Sequence, residues 1–170
     1  MEELLKDRRG NLTLTNINGL CRIALDKLKK TYEQDIQEKN IRIIFDNLTL
    51  SLMMEVNVEQ FSKVLAGILK NSMYALLKKS ETVTFSPEIF LGLKVNKDML
   101  EITIRDNGSG IDENIKDKIF APFFTTKTTG EAAGVGLYLC REIVQNHRGT
   151  IEVESKKGEY TQFLITIPVY

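Results

Sequence analysis

The hexapeptide Asp106-Asn107-Gly108-Ser109-Gly110-Ile111 puts an acceptor-only carboxylate at the end of an alternating stretch, with glycines close behind it. Adenine carries a 6-amino donor where guanine carries a 6-oxo acceptor. A buried Asp at such a strand end therefore selects adenine. Gly108 and Gly110 let the backbone approach a flat base or a phosphate with no side chain between. By itself the hexapeptide is better read as a hairpin turn, for which Asp/Asn-Gly is a common signal. A helix expected after Gly110, in place of a returning strand, weakens that reading.

The second stretch is Gly130-Glu131-Ala132-Ala133-Gly134-Val135-Gly136-Leu137. Glycines before and within the first turn of a helix leave backbone N–H groups free to hold phosphate oxygens. The plain alternative is a loop ending in a helix that packs closely through Gly136. No Gly-Lys-Ser/Thr follows, so this is not a Walker A loop, and no Gly-x-Gly-x-x-Gly opens a βαβ unit. The third candidate is Asn71, whose amide oxygen could ligate Mg²⁺, an ion that takes few protein oxygens and keeps several waters. Asn is mildly unfavourable within a helix. An isolated Asn is still most simply a solvated neighbour of the core. The fourth is Ile119-Phe120-Ala121-Pro122-Phe123-Phe124-Thr125-Thr126-Lys127, with no periodicity. Its rings could dock a loop on the body while Lys127 meets a γ-phosphate, or they could form a satellite core cluster.

These residues need elements to position them. Residues 57–79 read as the clearest helix. Asn57 and Gln60 resemble a capping box, and Phe61, Val64, Leu65, Ile68, Leu69, Ser72, Met73 and Leu76 form one stripe. Asn71 lies on its flank, one turn after Gly67. Residues 16–38 are predicted helical, and Ile41 to Phe45 a strand. Leu12-Thr13-Leu14 is a short strand candidate. Ile89 to Val95 and Met99 to Arg105 alternate around an Asn96-Lys97-Asp98 turn. A short helix is expected from Asp112 to Phe120 and another from about Gly134 to Asn146. Thr150 to Glu154 and Thr161 to Ile167 close the chain as two strands joined at Lys157-Gly158. This mixture without a βαβ rhythm predicts an α/β (α+β) two-layer sandwich, its sheet largely antiparallel and covered on one face by helices.

Composition bounds the rest. The chain has 170 residues, 42% of them hydrophobic, which suits one domain with a real core. Lys+Arg and Asp+Glu both number 23, and this balance argues against a nucleic-acid binder. Cys21 and Cys140 lie far apart, with His147 the one histidine of the chain, which argues against a zinc site. The first residues lack the basic start and apolar run of a signal peptide, and no stretch approaches a membrane span. Asn11-Leu12-Thr13 and Asn47-Leu48-Thr49 match the glycosylation pattern by chance on this reading.

The order of the four sites carries more than any of them alone. An Asn on a long helix, Asp-x-Gly-x-Gly at a strand end, a Phe-rich loop and Gly-x-Gly-Leu opening a helix together resemble the GHKL ATPase superfamily. Within it the match is to the catalytic domain of sensor histidine kinases. Gly67 to Ala75 resembles the N box, Asp106 to Gly110 the first glycine box, Ile119 to Lys127 the F box, and Gly134 to Leu137 the second glycine box. Gly158-Glu159-Tyr160-Thr161-Gln162-Phe163 with Ile167-Pro168 is similar to the closing strand. The resemblance runs from about residue 12 to the end, leaving residues 1–11 as the end of a preceding helix or a linker.

The resemblance implies a Bergerat fold that binds Mg·ATP between helices and sheet, under a lid of roughly residues 121–133. It implies that Asn71 coordinates Mg²⁺ and that Asp106 accepts the adenine amine with Thr161 assisting through water. Gly108, Gly110 and Ile111 would border the base, with Phe120 and Thr126 from the F box. Lys127 would reach the γ-phosphate, and Gly134, Val135, Gly136 and Leu137 would cradle the phosphates. Asn71 and Lys127 are the residues expected to serve catalysis, by positioning and charge neutralisation. The γ-phosphoryl would pass to a histidine on a separate dimerisation and phosphoacceptor hairpin, with a response regulator downstream. The chain itself would be a monomer without membrane contact, in the cytoplasm, its parent protein in some cases membrane-anchored.

Three departures from the family pattern stand out. Gly67 replaces a usual second Asn, Ala132 and Ala133 replace the usual opening of the second glycine box, and His147 is read as structural, leaving no phosphoacceptor. The chain is therefore expected to be a fragment or to act in trans. Two alternatives remain at this point: a nucleotide-binding module that has lost catalysis, and a serine kinase of the anti-sigma-factor type.

Overall fold

The computed structural model describes residues 8–47, 51–122 and 136–170. Two antiparallel strands, β1 (Thr13–Asn16) and β3 (Met53–Val56), form a small sheet. Between them in sequence lie α1 (Ile17–Thr31), α2 (Glu33–Lys39) and β2 (Arg42–Asp46). Then come α3 (Val58–Ser80), β4 (Glu88–Asn96), β5 (Met99–Asp106), α4 (Leu137–Asn146), β6 (Thr150–Lys156) and β7 (Tyr160–Pro168). The main sheet has five strands in the order β2-β4-β5-β7-β6. Only its β2–β4 pair is parallel. This is the mixed, largely antiparallel sheet under a helical layer that the pattern predicts.

The core lies between that layer and the sheet. Phe61, Leu65, Ile68, Leu69, Met73 and Leu76 of α3 belong to one buried cluster with Ile89, Leu91, Ile102, Ile104 and Ile165 of the sheet. Helix α3 forms because its apolar residues recur at helical spacing. It starts where predicted: the Asn57 side chain accepts the Gln60 N–H at 3.0 Å. The other half of the capping box is replaced by a tertiary contact, since the Asn57 N–H donates to His147 Nε2 at 3.1 Å.

Two helix predictions change. The segment 16–38 is not one helix, because Tyr32 leaves helical geometry (φ −110°, ψ 26°) and separates α1 from α2. The expected helix from Asp112 to Phe120 shrinks to a 3₁₀ turn at Lys116–Lys118. There the Asp112 carboxylate accepts the Asn114 N–H at 3.0 Å and pairs with Lys157 at 3.1 Å. A short acidic side chain bonded to nearby backbone competes with the helical ladder. The strand β3 is not foreseen from its pattern; it is short, and only Met54 and Val56 face inward. Residues 1–7 of the predicted N-terminal helix lie outside the described residues.

Candidate active site

Strand register builds one wall of the site. Ile89, Asp106, Thr161 and Ser155 are paired in turn across β4, β5, β7 and β6. Opposed residues share a face of the sheet, so these four buried side chains reach the helical layer together. Asp106 ends β5 and is 2% exposed. Its Oδ1 accepts the Gly108 N–H at 2.9 Å. Burial pushes its carboxyl up to about 7, against the lowering pull of the Gly108 N–H, the Ser72 hydroxyl, Lys79 and Arg105.

Helix α3 supplies the facing wall. The Ser72 hydroxyl lies near enough to lower the Asp106 pKa, yet it is buried and makes no hydrogen bond of ordinary geometry among the described residues. An unsatisfied buried hydroxyl costs roughly 1–3 kcal/mol, so this pairing does not arise from fold stability. Lys79, two turns on, donates to the Asn107 carbonyl at 3.0 Å and stands 4.4 Å over the Phe85 ring. Asn107 in turn accepts the Glu88 N–H at 2.7 Å and donates to the Ser86 carbonyl at 2.8 Å. These bonds anchor the approach to β4 beside the end of β5.

The two glycines of the loop serve the fold first. A Cβ on Gly108 would stand 2.6 Å from the Ala75 carbonyl carbon of α3. The next residue's N–H, Ser109, donates to the Ala75 carbonyl at 3.1 Å. Gly110 has φ +67°, and a Cβ there would stand 2.2 Å from the Lys156 carbonyl. The loop is thus wedged between α3 and the β6–β7 turn, where side chains have no room. This refines the sequence reading, in which the glycines made room for a ligand.

Beyond Gly110, the Ile111 N–H donates to Ser155 Oγ at 2.8 Å. Ser155 Oγ also lies 2.8 Å from the Tyr160 carbonyl and 3.0 Å from Thr161 Oγ1. Phe120 is half-buried, edge-on to Phe163 with centroids 6.3 Å apart and with Arg141 over its ring at 5.7 Å. It packs against the core, which suits either role that the sequence leaves open for these rings. Asn71 is half-buried on α3 beside Ser72. Gly136 is the N-cap of α4 in extended geometry (φ −68°, ψ 152°), without a side-chain cap, and Leu137 packs against the core. Thr126, Lys127, Gly134 and Val135 lie outside the described residues, as do Phe123 and Phe124.

The structure therefore gathers Asp106, Gly108, Gly110, Ile111 and Thr161 at one end of the sheet and sets Ser72, Asn71's neighbour, against them. Sequence reasoning missed Lys79, Asn107 and Ser155, and counted Ser72 only as packing. The signal for both serines was present: each is a hydroxyl at an inward phase, one in the α3 stripe and one in the alternation of β6. A separate apolar groove of about 200 Å³ between α1 and α3, lined in part by Leu20, Ala24, Ala66 and Leu69, does not include Asp106. Among the described residues there is no cluster of metal-ligating His, Cys, Asp or Glu, and no helix long and apolar enough to cross a membrane.

Comparison with known proteins gives the family and the fold. Residues 57–170 match the HATPase_c family, described as histidine kinase-, DNA gyrase B-, and HSP90-like ATPase. Cyanobacterial phytochrome A of Nostoc sp. (strain PCC 7120) is 35% identical over 149 residues, covering 86% of this chain and 18% of that protein. A probable C4-dicarboxylate sensor kinase of Halalkalibacterium halodurans is 35% identical over 151 residues, covering 89% of this chain and 27% of that protein. The chain thus spans less than a third of either relative. The nucleotide-free catalytic domain of the histidine kinase ThkA superposes with a TM-score of 0.75 at 28% identity, covering 94% of this chain and 96% of that one.

Proposed function

Because the chain belongs to the histidine kinase-, DNA gyrase B- and HSP90-like ATPase family, we propose that it binds Mg·ATP at the Asp106 cleft and transfers the γ-phosphoryl to a histidine of a separate hairpin domain. The observation that carries this reading is a buried carboxylate facing a buried hydroxyl that makes no hydrogen bond of ordinary geometry among the described residues. Asp106 accepts, and Ser72 can donate or accept. A ligand edge bearing both an amine donor and a ring-nitrogen acceptor, as adenine does, satisfies what folding leaves open. The donor set therefore fits the base.

The roles of the chain's own residues follow. Asp106 orients the base through its 6-amino group, with Thr161 beside it. Gly108, Gly110 and Ile111 shape the cleft's edge by their fixed packing. Phe120 anchors the start of the segment that carries Thr126 and Lys127, and Lys127 neutralises charge at the γ-phosphate. At the entrance of α4, backbone amides from Gly136 and Leu137, with Gly134 and Val135 before them, hold phosphate oxygens. Asn71 fits Mg²⁺ as a neutral oxygen ligand on the same helix, in keeping with an ion that takes few protein oxygens. A Mg²⁺ ion held by Asn71 would supply charge neutralisation for phosphoryl transfer. The histidine of the acceptor hairpin comes from outside this chain. His147 does not serve, since its ring is buried and bonded to Asn57 and Ile143. The chain works as a monomer in the cytoplasm, with a response regulator receiving the phosphoryl group indirectly.

The test is to add a purified phosphoacceptor hairpin domain of a sensor kinase, with Mg·ATP, to the chain. The expected product is an acid-labile phosphohistidine on the hairpin. Tight ATP binding with no phosphohistidine would overturn the kinase reading in favour of a binding module, the outcome that Gly67, Ala132 and Ala133 motivate. An acid-stable phosphoester would point to serine phosphorylation instead.

A further inference from the structure

Ser155 Oγ has one hydrogen to give and two lone pairs to offer. It donates to the Tyr160 carbonyl at 2.8 Å and accepts the Ile111 N–H at 2.8 Å. Thr161 Oγ1 lies 3.0 Å away. With the serine hydrogen already used, Thr161 must be the donor in that third contact. This is the one assignment that satisfies all three contacts, and it consumes the only hydrogen of the Thr161 hydroxyl. Strand register fixes the geometry: Thr161 sits between Asp106 on β5 and Ser155 on β6, all three on the buried face. The threonine is thereby turned toward Ser155 and presents only lone pairs to whatever lies beside Asp106.

We propose that Ser155 is a specificity-determining positioning residue: by accepting the Thr161 hydroxyl hydrogen bond it leaves Asp106 and Thr161 as adjacent acceptors, an edge that matches a 6-amino purine and repels a 6-oxo purine. The proposal rests on the adenine reading of the cleft and deepens it. A threonine free to rotate could donate to a 6-oxo group, and the wall would lose part of its discrimination. Ser155 also holds the Ile111 N–H, so it ties the loop after Gly110 to the same strand. That second bond predicts some loss of affinity for any nucleotide, and only the ratio between nucleotides reports the positioning role.

The experiment is calorimetric titration of the whole chain with Mg·ATP and with Mg·ITP, whose base carries a 6-oxo group in place of the amine. The wild-type chain is expected to prefer ATP. Ser155→Ala should raise the ITP-to-ATP affinity ratio roughly tenfold, the worth of one hydrogen bond made or misdirected. Ser155→Thr, which keeps a hydroxyl, should restore the wild-type ratio. Adding Thr161→Val to Ser155→Ala should abolish the gain for ITP. Equal losses for both nucleotides in Ser155→Ala, or a gain for ITP that survives Thr161→Val, would overturn the proposal. Ser155→Cys fills similar space with a poor acceptor. If the alanine variant does not fold, this variant should show a smaller shift of the same sign, and no shift would count equally against the proposal. A wild-type chain that binds ATP and ITP alike, or that binds ATP unchanged after Asp106→Asn, removes the adenine reading and the proposal with it.

Discussion

Helix α3 carries a buried polar cluster at each end, and the two behave differently. At its start, His147 is 3% exposed and both ring nitrogens are engaged within the fold. Nδ1 donates to the Ile143 carbonyl at 2.8 Å, and Nε2 accepts the Asn57 N–H at 3.1 Å. The Asn57 amide adds a bond to the Arg9 carbonyl at 2.6 Å, and Phe61 meets the imidazole edge-on. That cluster pins the entering chain, the start of α3 and the end of α4 together. Toward its other end, Ser72 faces Asp106, with a hydroxyl left unsatisfied and a carboxyl that burial makes hard to ionise. Buried polar groups that satisfy one another stabilise a fold, while those left open cost stability and persist where a ligand completes them. The difference separates a structural histidine from a binding carboxylate, a distinction that residue type alone does not make.

Substitutions can break or sharpen this contrast. The largest effect is expected at Asp106→Asn, which replaces one of two acceptor oxygens with a donor. ATP affinity should fall on the order of 100-fold with the fold intact. Unchanged affinity in calorimetry would reject the assignment. The same residue predicts a pH dependence. Its folded pKa is raised from 3.8 to about 7. The apo fold is therefore favoured by Asp106 below about pH 4, and this contribution declines as pH rises through about 7, at up to roughly 1.4 kcal/mol per pH unit. Asp106→Asn should remove that part of the decline in Tm between pH 5 and 8. ATP binding near pH 6 should release protons, measurable as a buffer-dependent binding enthalpy.

His147→Ala should behave in the opposite way. Loss of its two hydrogen bonds and ring contact should cost about 2–4 kcal/mol of stability in denaturant unfolding. Nucleotide affinity of the folded protein should change less than threefold, roughly the scale of a distant uncoupled site. A large affinity loss would mean that the two ends of α3 are coupled. Lys127→Ala is next in size, expected to weaken ATP about tenfold and ADP much less. Equal losses would argue against a γ-phosphate contact. Ser72→Ala is the smallest: a few-fold loss of ATP affinity, with unfolding stability unchanged or raised because an orphaned hydroxyl is removed. A marked loss of stability would show that the hydroxyl already serves the fold.

Much of this was legible in the sequence because it is local or periodic. The α3 stripe, the Asn57 cap, the β4–β5 hairpin and the closing β6–β7 pair follow from spacing and turn chemistry. Asp106 was legible because an acidic residue ends an alternating strand just before Gly108 and Gly110. The misreadings fall where local signals compete. Around Asp112, carboxylate bonds to the Asn114 N–H and to Lys157 replaced the predicted helix with a 3₁₀ turn. Tyr32 breaks the first long helix with neither Pro nor Gly to announce it.

The amino-acid pattern alone determined most of the strands and the long helix α3, that the sheet is mostly antiparallel, and that Asp106 and its following glycines belong to one turn. Those features depend on neighbours in sequence, and side-chain period and backbone freedom settle them. Only the tertiary structure decided that Thr161 stands between Asp106 and Ser155, that Ser72 meets the carboxylate from the opposite layer, and that Gly108 and Gly110 are held bare by Ala75 and Lys156. Those relations depend on strand register and on how closely a helix seats on a sheet. The packing of the whole core sets both, and no short stretch of sequence contains that information.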